Sequence, residues 1–283
     1  MTATRRFRGS GGVGIVGDVG GDPAAPSVIL LHGGGQTRHS WGSAMTELLR
    51  RGYRAINIDL RGHGDSQWAP DGDYSAEALA GDIDAVAATL PTRPALVGAS
   101  MGGMAALFYA GTHAADRISA LVLVDIVPMF GVSGARKVAA FLNDHLAGFS
   151  SLQEAADAIA RYNPHRPRPL TQEGLLKNLR QRDGRWYWHW DPALVRGRER
   201  ASLPDYRDQL ARAANRVGAP TLLVRGLMSD MVTDTGVADL RSRVPQLEIY
   251  DVRGAGHMVA GDDNDAFNEG VCGFLQRHLP AAR

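Results

Sequence analysis

The sequence predicts an α/β fold: a mostly parallel central sheet with helices on both faces and one helical insertion between two of its strands. Three observations carry this. Short, continuously apolar runs (Ser27–Leu31, Ala95–Val97, Ala120–Val124, Thr221–Val224) have the length of strands covered on both faces. Helix-spaced segments alternate with those runs, as parallel strands joined by crossovers require. Residues 127–214 break the alternation, with helical stretches and no convincing strand.

In order, Val13–Val19 reads as an opening strand, followed by a Gly20-Gly21-Asp22-Pro23 turn. Ser27–Leu31 ends in His32-Gly33-Gly34-Gly35, and the helix from Trp41 to Arg51 stops at Gly52, a residue suited to a helix C-terminus. Arg54–Asp59 is a buried strand. Ser75 is the N-cap of a helix running to about Leu90, with Tyr74 and Leu79 spaced as a hydrophobic staple. Leu247–Val252 is the last strand, and a helix from near Asn264 to Leu279 closes the chain. The expected domains are a core of residues 1–126 and 215–283 and a cap of residues 127–214. Within the cap, helices are expected at Lys137–Leu146, Leu152–Tyr162, Gly174–Gln181 and Asp205–Ala214.

Composition narrows the function. With 283 residues the chain has ample length for one large core, and its net charge of +1 offers no basic stripe for nucleic acid. Cys272 is the sole cysteine, which excludes an internal disulfide or a cysteine-rich metal site; its apolar neighbours make it a small buried residue. No apolar run is long enough to span a bilayer, and the arginines near the N-terminus precede no apolar signal region. The expectation is a cytoplasmic monomer or homodimer with a small-molecule substrate, no nucleic-acid or membrane partner, and no metal or organic cofactor.

The chemistry is concentrated in Gly98-Ala99-Ser100-Met101-Gly102, placed between an apolar strand and a helix. In that context G-x-S-x-G is a nucleophile elbow: Ser100 sits in a strained turn with its hydroxyl projecting from the sheet edge. Glycines flank it because a Cβ would collide where strand and helix nearly touch. A serine hydroxyl needs a base, and the base needs an orienting carboxylate. His257, in the glycine-rich loop after the last strand, is the candidate base. Asp230, in the loop after Thr221–Val224, is the preferred carboxylate; Asp125, directly after Ala120–Val124, is the alternative. The Met101 amide and a second amide from the His32–Gln36 loop, Gly34 favoured over Gly35, are the expected oxyanion donors. His32 is expected to hold that loop in shape. Trp41, Phe130 and Trp188 are the candidate substrate contacts. Arg161, Arg166 and Arg168 are read equally well as steering an anionic substrate or as a solvated face.

His32-Gly33-Gly34-Gly35 with Trp41, Asp59-Leu60-Arg61-Gly62-His63-Gly64-Asp65-Ser66, the Ser100 elbow, Asp230 and Gly256-His257 together resemble the α/β-hydrolase superfamily, over about Val13 to Leu279. The resemblance is to its small capped members, and it implies that Asp59–Ser66 supports the site structurally. Epoxide hydrolases and haloalkane dehalogenases of this group use an aspartate nucleophile, and this chain has Ser100 there. The resemblance therefore implies an acyl-enzyme esterase. The alternatives are a lactonase, C–C hydrolase or perhydrolase with the same triad, or a small-molecule receptor.

Overall fold

The computed structural model describes residues 2–113, 116–162, 173–195, 202–257 and 264–281. Its main sheet has eight strands: β1 (Thr2–Arg8), β2 (Gly14–Gly20), β3 (Ser27–Leu31), β4 (Arg54–Ile58), β5 (Ala95–Ala99), β6 (Ala120–Val124), β9 (Thr221–Gly226) and β10 (Leu247–Val252). They lie in the order β1-β2-β4-β3-β5-β6-β9-β10. The β1–β2 and β2–β4 pairs are antiparallel, and the remaining pairs are parallel.

Alternation along each buried strand divides the apolar residues between two layers. Ile29, Leu31, Leu96, Leu121 and Leu123 face the layer containing α2 (Ala76–Ala87) and α3 (Met101–Thr112). Val28, Leu30, Val97, Val122 and Val124 face the layer containing α1 (Gly42–Arg50) and the closing helix α9 (Asn264–His278). Burying each such side chain contributes about 1.5–3 kcal/mol, against about 0–1 kcal/mol for an exposed ion pair, so this double core fixes the strand ends that carry Ser100 and Asp125. Cys272 is buried in the second layer. Ser75 caps α2 as expected, its hydroxyl accepting from Ala78 N at 3.1 Å.

The insertion between β6 and β9 contains α4 (Val132–Asn143), α5 (Leu152–Tyr162), the short α6 (Glu173–Leu176) and α7 (Leu203–Ala214). It also contains strands, contrary to the sequence expectation. β7 (Leu179–Arg182) and β8 (Arg185–Trp188) form an antiparallel hairpin. Their two-residue connection, Asp183-Gly184, has both residues at positive φ (49° and 74°), the conformation that Asp-Gly favours in tight hairpins. The helix expected across Gly174–Gln181 therefore ends early. Helix α7 packs on α3 of the core; a Cβ at Gly111 would lie 2.1 Å from Ala213 O. Strand β1 and helix α8 (Asp234–Arg243), which Thr233 caps through Gly236 N, add to the expected set. Arg166 and Arg168 lie outside the described residues.

Candidate active site

Strand order reverses around β3, which brings the carboxyl ends of β3 and β5 together, the place where open α/β sheets hold their ligands. Ser100 directly follows β5, at φ 46° and ψ −114°. Such a backbone is costly for a residue with a side chain and persists only where the surroundings enforce it. Here they do. A Cβ at Gly98 would lie 2.5 Å from Gly102 O, and one at Gly102 would lie 2.4 Å from Leu31 O. Strand and helix therefore approach to backbone contact, and Gly102 N donates to His32 O at 3.1 Å across the join.

His257, in the loop after β10, stands over the elbow. Its Nε2 lies 3.1 Å from Ser100 Oγ, and its Nδ1 lies 2.8 Å from Asp125 Oδ2. The carboxylate assignment preferred from sequence is corrected: Asp125, not Asp230, meets the imidazole. The reason is register. Ala99 pairs with Val124 across β5 and β6, so the residue after Val124 ends up beside Ser100. Asp125 is fully buried, at φ 50°, and its N–H bonds to Val224 O at 2.8 Å. Its carboxylate also accepts from Gly226 N at 3.1 Å and from the Ser229 hydroxyl. Asp230 instead follows the exposed Leu227 and Met228, and its carboxylate pairs with Lys137 on α4.

Facing the elbow is the glycine loop after β3. A Cβ at Gly33 would lie 3.4 Å from Ser100 Cβ. Gly33 N donates to Gln36 Oε1 at 2.9 Å and Gly35 N to His63 Nε2 at 3.1 Å. Among the described residues, the Gly34 and Met101 amides meet no acceptor.

Histidines brace this loop. His32 Nδ1 donates to Gly33 O at 2.8 Å while its Nε2 accepts from Leu60 N at 3.0 Å. His63 Nδ1 donates to Arg61 O at 3.0 Å. His189, next to the β7–β8 hairpin, accepts from Gly64 N at Nδ1 (2.8 Å) and donates from Nε2 to Gly35 O (3.3 Å). A ring nitrogen that accepts a backbone N–H carries no proton, so the hydrogen bonds assign each ring as neutral. Burial acts in the same direction, pushing His32 below its ordinary value and His189 down to about 3. The sequence assigns this role to His32 and general support of the site to the segment that holds His63; it does not single out His189, which nothing in local sequence marks.

The segment Asp59–Ser66 is a scaffold. Asp59 accepts from Arg38 N at 2.7 Å and Asp65 N at 2.9 Å, and pairs with the Arg38 guanidinium. Arg61 forms a buried two-pronged pair with Asp82 of α2, at 2.6 and 2.7 Å. Gly64 is required at φ 55° because a Cβ there would lie 2.2 Å from the Asp59 carboxylate.

The three expected substrate contacts are buried in apolar layers. Trp41 lies between α1, α9 and the sheet, 5.6 Å from the Phe267 ring, which corrects its assignment to substrate. Phe130 is buried beneath the Arg207 guanidinium. Trp188 is packed between Phe149 and Trp190, and its indole N–H donates to Asp144 O at 3.2 Å. Trp190 and Leu142, equally buried, pack against the glycine loop: a Cβ at Gly35 would touch both, at 3.3 and 2.7 Å. Among the described residues, no group of three His, Cys, Asp or Glu side chains is placed to hold a metal, and no helix is long and apolar enough to cross a membrane.

Comparison with known proteins agrees with this architecture. The esterase Rv0045c of Mycobacterium tuberculosis is 34% identical over 260 residues, covering 89% of this chain and 83% of that protein. Its solved structure superimposes with a TM-score of 0.76 at 31% identity, over 97% of this chain and 92% of the other. The sn-1-specific diacylglycerol lipase ABHD11 of Mus musculus is 29% identical over 274 residues, 90% of this chain and 82% of that protein. The structure of E-2-(acetamidomethylene)succinate hydrolase shares the fold with a TM-score of 0.85 at 23% identity, over 97% of this chain and 99% of the other. The sequence profile of the alpha/beta hydrolase fold matches residues 26–263, and the chain belongs to that family.

Proposed function

We propose that this protein is a carboxylic-ester hydrolase that works through an acyl-enzyme on Ser100, with His257 as base and Asp125 as the orienting carboxylate. The observation that carries the reading is the continuous hydrogen-bonded line Asp125 Oδ2, His257 Nδ1, His257 Nε2, Ser100 Oγ, at 2.8 and 3.1 Å. Asp125 accepts from Nδ1–H and so leaves the Nε2 lone pair to take the serine proton. Its buried negative charge then stabilises the imidazolium that forms. Serine Oγ attacks the acyl carbon, and the Gly34 and Met101 amides receive the developing oxyanion, each worth about 10²–10³ in rate. The imidazolium returns its proton to the departing alcohol, and water, activated by the same nitrogen, releases the acid. The esterase and lipase relatives support an ester as substrate.

The substrate in this reading is a small or medium acyl compound with an apolar acyl group. The buried Leu142 and Trp190 side chains, packed against Gly35, make the backing of the glycine loop apolar, which favours such a group. Steady-state assays with a series of p-nitrophenyl esters, C2 to C8, test the function. Turnover that vanishes in a folded Ser100→Ala variant is expected. Ligand-induced stabilisation without turnover in the wild type would instead mark a receptor.

A further inference from the structure

Three consecutive peptide units of the glycine loop are each held by a different buried histidine. The 33–34 unit, which carries the Gly34 N–H, is held at Gly33 O by His32 Nδ1. The 34–35 unit is held at Gly35 N by His63 Nε2, and the 35–36 unit at Gly35 O by His189 Nε2. The rings form a row, with centroids 5.0 Å apart for His32 and His63 and 5.7 Å apart for His63 and His189. They come from three parts of the chain: the end of β3, the loop after β4, and the insertion. Only the last is held through the insertion's own seating.

We propose that His189 is a positioning residue for the oxyanion loop, so that the Gly34 amide is aimed at the reacting oxygen only while the inserted hairpin is docked on the core. This rests on the proposed ester hydrolysis, and it goes further by making a residue of the insertion part of the rate-determining geometry. The docking is well defined. Beside the two His189 bonds, Asp191 N donates to Gly62 O at 2.9 Å, the Tyr74 hydroxyl donates to Asp191 Oδ2 at 2.5 Å, and Arg180 reaches Gly64 O at 3.1 Å. The Asp59–Ser66 loop is thus gripped by the stretch 180–191 on one side and, through His63, grips Gly35 on the other.

An oxyanion donor acts on the transition state more than on the bound substrate, so a loop out of place lowers kcat and leaves KM nearly alone. Two substitutions separate the two hydrogen bonds of His189. His189→Asn keeps an acceptor near Nδ1 for Gly64 N but falls short of Gly35. His189→Gln carries an amide N–H at about the reach of Nε2. The experiment measures p-nitrophenyl butyrate hydrolysis by the full chain and amide hydrogen exchange across residues 33–36. His189→Asn is expected to lower kcat by at least about tenfold, a fraction of the loss on removing a whole donor, with KM within about threefold. Its loop amides exchange faster, and His189→Gln moves both readouts back toward wild type. Wild-type kcat and wild-type loop exchange in His189→Asn would overturn the proposal. If the wild type hydrolyses no ester, the functional reading fails separately. Loop exchange then still decides the positioning role: faster in His189→Asn supports it, unchanged overturns it.

Discussion

Ser100 and Asp125 stand one residue beyond paired positions of adjacent parallel strands, and both hold left-handed backbones, at φ 46° and 50°. Two strained non-glycine residues side by side at the carboxyl edge of a sheet mark where the fold spends stability on geometry. The strain turns both side chains over the edge toward one imidazole.

Asp125→Asn is expected to lower kcat by about 10³–10⁴, because an amide leaves the Nδ1–H without its charged acceptor and favours the wrong tautomer. Asp230→Asn removes an exposed ion pair with Lys137 and should change stability by no more than about 1 kcal/mol and kcat by less than about threefold. Steady-state kinetics and urea denaturation of both variants check this. A large loss confined to Asp230→Asn would restore the sequence-based assignment.

Gly102→Ala should be poorly tolerated. The new methyl would lie 2.4 Å from Leu31 O and 2.6 Å from His32 O, both backbone atoms that cannot step aside cheaply. A loss of about 1–3 kcal/mol or more is expected in the urea midpoint, with activity falling alongside it. A variant as stable and active as wild type would contradict the close approach.

Stability should fall in mild acid. An unfolded histidine takes a proton near pH 6.5, whereas His189 stays neutral down to about 3 and His32 is also lowered. Between those values the unfolded chain binds more protons, so unfolding becomes easier as pH drops; the contribution is intact above about pH 7 and shrinks below 6.5. For His189 alone the loss at pH 5 is about 2 kcal/mol relative to pH 8. Urea midpoints across pH 5–8 measure it, and His189→Gln should flatten the curve.

Trp41→Ala is expected to cost about 3–5 kcal/mol in stability with little change in KM, since the ring fills the layer against Phe267. Thermal unfolding and ester kinetics of the same preparation separate the two effects. A raised KM with unchanged stability would return Trp41 to the substrate pocket.

Local signals carried most of the architecture. Val28–Leu31 and Ala120–Val124 are apolar at every position and could be little else than covered strands, and the glycines around Ser100 announce a turn too tight for side chains. The β7–β8 hairpin was also legible, through Asp183-Gly184 between Leu179–Arg182 and Arg185–Trp188, but the arginines hid its alternation. The choice between Asp125 and Asp230 was not legible, because it depends on how far each loop travels after leaving its strand. His189 was hidden for a similar reason: its partners Gly35 and Gly64 lie more than a hundred residues away, and only the seated insertion brings them together.

The proposed role of His257 is to make the Ser100 hydroxyl nucleophilic. Its most direct test is intact-protein and peptide mass spectrometry after treatment with a fluorophosphonate. A single adduct on Ser100 is expected, formed rapidly in the wild type and slowed by orders of magnitude in His257→Ala. An unmodified Ser100 in the folded wild type, or labelling that proceeds equally fast without the imidazole, would contradict it.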